Sequence, residues 1–203
     1  VLQHLWTPTT GWSSGPPATA RGLDQLVLAF GSPSALRQQA LIDQLLAWHP
    51  DAVIAGCSTA GEILDTRVHD DCLVATAVQF ERSTIDWVVV PVARDTDGHE
   101  AAEQIALRLV RPGLRHVMVF CDGLVVNGTS FARSLRDRLP EGVHATGGLA
   151  ADADRFMETL ITCNGIGASR QVVGIGFYGD DLRVGYGSVG GWDSFGPLRT
   201  VTR

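Results

Sequence analysis

The chain has 203 residues, of which 45% are hydrophobic and 19% charged, a composition typical of a soluble globular protein with a sizeable core. Its formal net charge of −6 argues against nucleic acid as the main partner, because phosphate binding requires a basic surface. No apolar run approaches the roughly 20 residues that span a bilayer, and the first residues (VLQHLW) do not resemble a signal peptide. The sequence therefore predicts a cytoplasmic protein with no membrane partner.

The first half of the chain predicts an irregular arm and then a strand–helix–strand unit. Residues 1–22 are rich in threonine, serine, glycine and proline, which favours an irregular arm. The apolar run at residues 26–30 predicts a strand buried on both faces. Ser32 before Pro33 predicts the start of a helix, and Pro50 ends it. Strand-like runs follow at residues 52–55, 72–80 and 84–92.

The second half repeats this order after a linker helix. The capping-box pattern of Asp97 and Glu100 predicts that helix over about residues 97–110. A buried strand is predicted at residues 117–120, and Asn127 is predicted to cap the next helix. Further strand-like runs lie at residues 143–146, 156–163, 171–178 and 182–188.

The two halves correspond closely enough to predict an internal repeat. Phe30 corresponds to Phe120 and Gly56 to Gly147, at offsets of 90 and 91 residues. The predicted fold class is α/β, with two related β-α-β-β-β units whose mixed sheet or sheets are flanked by helices. Whether there is one continuous sheet or two stacked sheets stays open, as does a chance likeness of two βα units. The predicted boundaries are residues 23–203 for a single domain, with halves at about 23–95 and 113–190.

Two glycine-rich loops mark a candidate binding site. Each β-α-β unit brings both of its strand ends to the same edge of a sheet, where open α/β sheets bind ligands. The loops there read GCSTAGE at residues 56–62 and TGGLA at residues 146–150, so backbone N–H groups, hydroxyls and a carboxylate can approach a ligand closely. The candidate ligand-binding residues are Cys57, Ser58, Thr59, Gly61, Glu62, Asp122, Asn127, Thr146, Gly147 and Gly148.

Each of these features has a competing interpretation. The first loop is equally consistent with a tight turn or a helix start capped by Ser58. Cys57 as a nucleophile would make the protein a cysteine-dependent enzyme, but this needs a lowered thiol pKa and a base such as His144 or His49. Neither histidine lies in an established Cys–His signature, so we predict that the protein is not an enzyme.

No metal site or cofactor is predicted from the spacing of cysteine and histidine. The four cysteines form no C-x-x-C pair, and the six histidines form no pair four residues apart. A single axial haem ligand needs only one suitably placed histidine, and His144, on the strand leading into Gly147, is the candidate.

The motifs together resemble the N-terminal FIST domain of bacterial signal-transduction proteins. The similar segments are GCSTAGE at 56–62, DGLVVNGT at 122–129, TGGLA at 146–150, GGWDSFGP at 190–197 and RTVT at 199–202. This resemblance implies a sensory domain that binds a small polar molecule, such as an amino acid, non-covalently. It also implies a FIST C-terminal domain or a downstream signalling protein as partner, with outputs through kinases, cyclases or chemotaxis-type proteins. Some members of the family resemble haem-binding nitric-oxide sensors, which is the alternative function.

Overall fold

The computed structural model describes residues 1–16, 24–93, 98–187 and Gly196. Its strands are β1 Leu2–Thr7, β2 Gly11–Trp12, β3 Asp24–Gly31, β4 Val53–Ser58, β5 Glu62–Leu64, β6 Arg67–His69, β7 Leu73–Gln79, β8 Thr84–Pro91, β9 Leu114–Cys121, β10 His144–Leu149, β11 Ile161–Cys163 and β12 Gln171–Tyr178. Its helices are α1 Pro33–Leu36, α2 Gln39–Trp48, α3 His99–Leu109 and α4 Gly128–Arg136. The prediction of an α/β fold with mixed sheets and flanking helices is confirmed.

The strands form two main sheets and a separate hairpin. The six-stranded sheet has the order β11-β4-β3-β7-β1-β2, and the four-stranded sheet has the order β10-β9-β12-β8. Strands β5 and β6 pair only with each other within the described residues. In each sheet the strand–helix–strand unit gives a parallel pair, β3 with β4 and β9 with β10, as the crossover rule predicts. An antiparallel strand then pairs with the first strand of each unit, β7 with β3 and β12 with β9.

The two sheets pack face to face, with helices on both outer faces. The apolar run of β3 shows why: Val27 and Ala29 pack towards α1 and α2, while Leu26 belongs to the apolar cluster between the sheets. Across that inner layer, the rings of Phe30 and Phe120 meet edge to face with centroids 5.5 Å apart. Helices α3 and α4 cover the four-stranded sheet in the same way. The architecture is therefore a four-layer sandwich, helix–sheet–sheet–helix, which decides between the one-sheet and two-sheet alternatives.

The strands do not stay within the halves that the sequence predicts. Strand β8, in the first half, pairs with β12 in the four-stranded sheet. Strand β11, in the second half, pairs with β4 in the six-stranded sheet. Each sheet therefore contains a strand from the other predicted half. The internal repeat itself stays a prediction, although the orders β4-β3-β7 and β10-β9-β12 have the same strand directions.

The prediction of an irregular N-terminal arm is wrong for residues 2–7 and 11–12. Strand β1 pairs antiparallel with β7, and β2 extends the same sheet edge. The physical reason is burial: Trp6 and Trp12 pack against the apolar cluster under α2, and the indole N–H of Trp12 donates to Gln44 at 2.7 Å. The tertiary contact outweighs the weak local strand signal.

Four other predicted features differ from the structure. The predicted strand at 156–163 is reduced to β11, and residues 182–187 form no strand. The first helix is interrupted at residues 37–38 and divides into α1 and α2.

Asp97, the predicted cap of α3, lies outside the described residues, and Gly98 (φ 82°) is the N-cap. The segments at 190–197 and 199–202 also lie outside the described residues, except Gly196.

Two predicted helix caps are confirmed. The Ser32 hydroxyl accepts the N–H of Ala35, and the Asn127 side chain accepts the N–H of Ser130 at 3.0 Å. None of the described helices is long and apolar enough to cross a membrane.

Candidate functional site

The end of β4 is fixed by its own chain. The Ser58 hydroxyl accepts the N–H of Leu160 at 2.9 Å, and the Ser58 N–H donates to the carbonyl of Leu160 at 2.8 Å. The Ser58 carbonyl accepts the N–H of Ala151 at 2.9 Å. Ser58 is fully buried, so its side chain holds residues 150–160, called the bridging segment below, rather than facing solvent.

The end of β9 holds the same segment through a buried carboxylate. Asp122 Oδ1 accepts the hydroxyl of Thr159 at 2.5 Å and the N–H of Leu124 at 3.0 Å. Its Oδ2 accepts the N–H of Arg170 at 2.5 Å. Asp122 is 1% exposed, and the N–H of Gly123 donates to Thr159 as well. The carboxylate therefore joins its own loop to two segments that lie 37 and 48 residues further along the chain.

The two predicted loops do approach each other, but protein fills the space between them. The N–H of Ala150 donates to the carbonyl of Cys121 at 2.8 Å, while Ala151 bonds to Ser58. The bridging segment thus lies between the ends of β4 and β9. Inside it, Asp152 accepts the N–H groups of Glu158 and Met157, and these backbone bonds lower the pKa of that carboxyl.

Cys57 is buried in the apolar layer between the sheets. It is 4% exposed, and burial raises the pKa of the thiol to about 12. A cysteine nucleophile needs a lowered thiol pKa, so this environment is opposite to the one that the enzyme alternative requires. Within the described residues, no group of three or more histidine, cysteine or acidic side chains could hold a metal ion.

Glu62 and Thr59 form a second buried polar contact at the start of the β5–β6 hairpin. Glu62 is 2% exposed and accepts the Thr59 hydroxyl at 2.7 Å and the Cys72 thiol at 3.2 Å. Burial raises the pKa of Glu62, and the two hydrogen bonds only partly offset this effect. Gly61 precedes it with φ 155°, a backbone conformation that favours glycine.

The raised pKa of Glu62 predicts a pH-dependent stability. Because the pKa is higher in the folded than in the unfolded protein, the stabilisation is complete below the ordinary value of 4.5 and is lost as pH rises through the folded value. We therefore compare the free energy of unfolding of the native protein with that of Glu62→Gln between about pH 4 and 8. The difference should shift against the native protein as the pH rises and Glu62 becomes charged. Urea unfolding at several pH values measures it, with the exposed Glu141→Gln as the matched control. A difference independent of pH would contradict this assignment.

An open groove of about 610 Å³ lies between α4 and the edge strand β10. Its floor is apolar and includes Val119, Phe131 and Leu135 from the core of the four-stranded sheet. Arg133 and Arg136, on the exposed face of α4, form part of its rim. Such a volume, with an apolar floor and a few polar groups, is typical of small-molecule sites.

The strand side of the groove carries polar and aromatic groups. The Thr146 hydroxyl is 2.8 Å from Nε2 of His116, a buried histidine whose pKa is lowered by desolvation and by His144. The rings of Tyr186 and His144 are tilted by 55° with centroids 5.5 Å apart. His144 is exposed at this rim, and haem binding through it stays a prediction.

The groove contains only part of the predicted site. Thr146, Gly147 and Gly148 line it, and Asn127 lies next to it as the cap of α4. Among the described residues, the lining does not include the five candidates from residues 57–62, nor Asp122. Whether any of the ten candidates binds a ligand stays a prediction.

Sequence reasoning missed the helix side of the groove. The sequence predicted the helix that Asn127 caps, but not that Arg133 and Arg136 on it border a groove. The available signal was their spacing of three residues, which places both guanidinium groups on one side of the helix. Tyr186 fell within the predicted strand-like run at residues 182–188, and no local pattern indicates that it reaches His144.

The fold and the groove define a mixed α/β structure with two stacked sheets, in which the edge strand β10 is unpaired on one side within the described residues and lies next to a helix. The family model of the FIST N domain matches residues 25–203. The chain therefore belongs to the FIST N-domain family, a family of sensory domains in signal transduction. A comparison with curated proteins finds no match.

Proposed function

We propose that this cytoplasmic domain senses a small molecule that binds non-covalently in the α4–β10 groove. The observation that carries the proposal is the combination of an open apolar floor and two arginines on one rim. A ligand with an anionic group and an apolar part, such as an apolar amino acid, is complementary to both features. Its carboxylate would contact Arg133 or Arg136, and its side chain would cover Phe131.

The groove is placed where a bound ligand can affect the rest of the domain. Strand β10 continues directly into the bridging segment, which is bonded to both sheets through Ser58 and Asp122. A signal requires two states with different ligand affinities, and a shift of β10 against α4 would provide them. We propose a FIST C-terminal domain or a downstream signalling protein as the partner that detects this shift. The bridging segment exposes Phe156 and Met157, which are 74% and 81% exposed.

A thermal-shift screen of amino acids and small carboxylates tests the proposal. A ligand at a hundredfold excess over its Kd contributes about 2.7 kcal/mol, which raises the Tm of a domain of this size by about 5 to 10 °C. Ala132→Trp places a large side chain into the groove from an exposed position on α4 and should abolish that shift.

Gln104→Trp, an exposed substitution on α3, is the matched control and should keep the full shift. A ligand that stabilises Ala132→Trp and native protein equally would place its site elsewhere. A screen in which no compound raises the Tm would remove the support for small-molecule sensing by this groove.

A further inference from the structure

The outer edge of β10 differs from the outer edge of its counterpart in the other sheet. The counterpart of β10 is β4. Each is the second strand of a parallel crossover, β4 next to β3 and β10 next to β9. The outer edge of β4 is covered by β11, which pairs antiparallel with residues 55–57. Within the described residues, no strand pairs with the outer edge of β10. Among the described residues, the outer edge of β10 is therefore the unpaired counterpart of the edge that β11 covers on β4.

Strand β10 is also exposed on both faces, unlike the other long edge strand. Five of its six residues are exposed and Thr146 is half-buried. Strand β8, at the opposite edge, contributes Val90 to the core, and Trp87 packs between the sheets. An edge strand presents a row of unpaired N–H and C=O groups, which is a template for another extended chain. Here that row borders the apolar floor of the groove.

We propose that the ligand of this groove is a short peptide with a free carboxyl group, which adds to β10 as an antiparallel fifth strand. This inference rests on the proposed function, because it names the chemical class of ligand for the same groove. Strand addition of this kind takes its affinity from main-chain hydrogen bonds and its specificity from pockets for alternate side chains. In the groove, alternate side chains would point towards Val119 and Phe131.

The charges of the groove select the antiparallel direction. Helix α4 begins beside the end of β10, since a Cβ on Gly128 would lie 3.2 Å from the side chain of Leu149. Arg136 is eight residues further along the helix, about 12 Å away, towards the beginning of β10 at His144. The carboxyl end of an antiparallel peptide lies at the beginning of β10, next to both arginines. A parallel peptide would instead place its amino end there, where like charges repel.

The same arginines disfavour a second copy of this chain as the occupant. Two β10 edges paired around a twofold axis would bring Arg133 and Arg136 of both copies into one interface, where their like charges repel. Arg136 already contacts Asp137 at 3.1 Å, but this pair is exposed and contributes little.

The test uses an acetylated tetrapeptide of alternating threonine and valine with a free carboxyl group, measured by calorimetric titration. In an antiparallel pair, alternate N–H groups of the peptide face β10 and the others face solvent. Two peptides are therefore N-methylated at alternate positions. The one whose methyl group replaces an N–H that faces β10 should bind about tenfold more weakly than the parent peptide, and the other should bind about as well as the parent. Amidation of the carboxyl group and Arg136→Gln should each weaken binding about tenfold or more, whereas Arg67→Gln on the hairpin should not.

Failure of this inference differs from failure of the proposed function. If free valine or isovalerate raises the Tm of native protein but not of Ala132→Trp, and the tetrapeptide does not bind, the groove binds small molecules and strand addition is wrong. Equal binding of both N-methylated peptides would also overturn it. A concentration-dependent dimer that becomes stronger in Arg136→Glu, where the like-charge repulsion is removed, would show that a second copy occupies the edge. If neither small molecules nor the tetrapeptide bind, both proposals fall.

Discussion

Asp122→Asn is expected to lower the free energy of unfolding by about 3 kcal/mol, the larger part of it from one buried contact. Asparagine keeps the oxygen that accepts the Thr159 hydroxyl, but it turns an amide N–H₂ towards the N–H of Arg170. A buried donor then faces another donor, and the charge-assisted bonds of the carboxylate are lost. Urea unfolding followed by tryptophan fluorescence measures the change.

The control is Asp137→Asn, an exposed carboxylate paired with Arg136, which should change stability by less than about 0.5 kcal/mol. Asp122 is also a candidate ligand-binding residue, and the two roles give opposite results. If Asp122→Asn is as stable as native protein but no longer binds a compound that raises the native Tm, the carboxylate serves a ligand and not the bridging segment.

The sequence predicted the local parts of this fold well because their signals are local. The caps at Ser32 and Asn127, the apolar run of β3 and both parallel crossovers depend on residues within one unit. The exchange of β8 and β11 between the sheets was not predictable in this way. It depends on contacts between segments far apart in sequence, and β11 has only three residues with which to indicate its partner.

The candidate site shows the same limit more sharply. A polar residue directly after a buried strand looks the same in the sequence whether it binds a ligand or another part of the chain. Ser58 bonds to Leu160, 102 residues away, and Asp122 bonds to Thr159, 37 residues away. The partners of both side chains become visible only in three dimensions. By contrast, Thr146 and its two following glycines were selected for a loop at a sheet edge, and they do line an open groove.

Gly147→Ala is expected to destabilise the protein by about 3 to 5 kcal/mol, although the residue next to it should tolerate the same change. Gly147 has φ 142°, and a Cβ there would lie 1.8 Å from the carbonyl oxygen of Val119. Because that oxygen belongs to the backbone of β9, β10 would have to move away from its only partner strand among the described residues. Thermal and urea unfolding both measure the loss.

Gly148 provides the matched control because a Cβ there meets no atom within 4 Å. Gly148→Ala should change the free energy of unfolding by less than about 0.5 kcal/mol. The larger Gly148→Val should also keep the fold, since branched residues suit strands and its side chain would extend from the face of β10 opposite Val119. The adjacent glycines thus differ in their constraints: Gly147 lets β10 approach β9, whereas a Cβ on Gly148 would meet open space. A stable Gly147→Ala protein would mean that β10 does not lie this close to β9, and the groove would lose the wall on which both proposals depend.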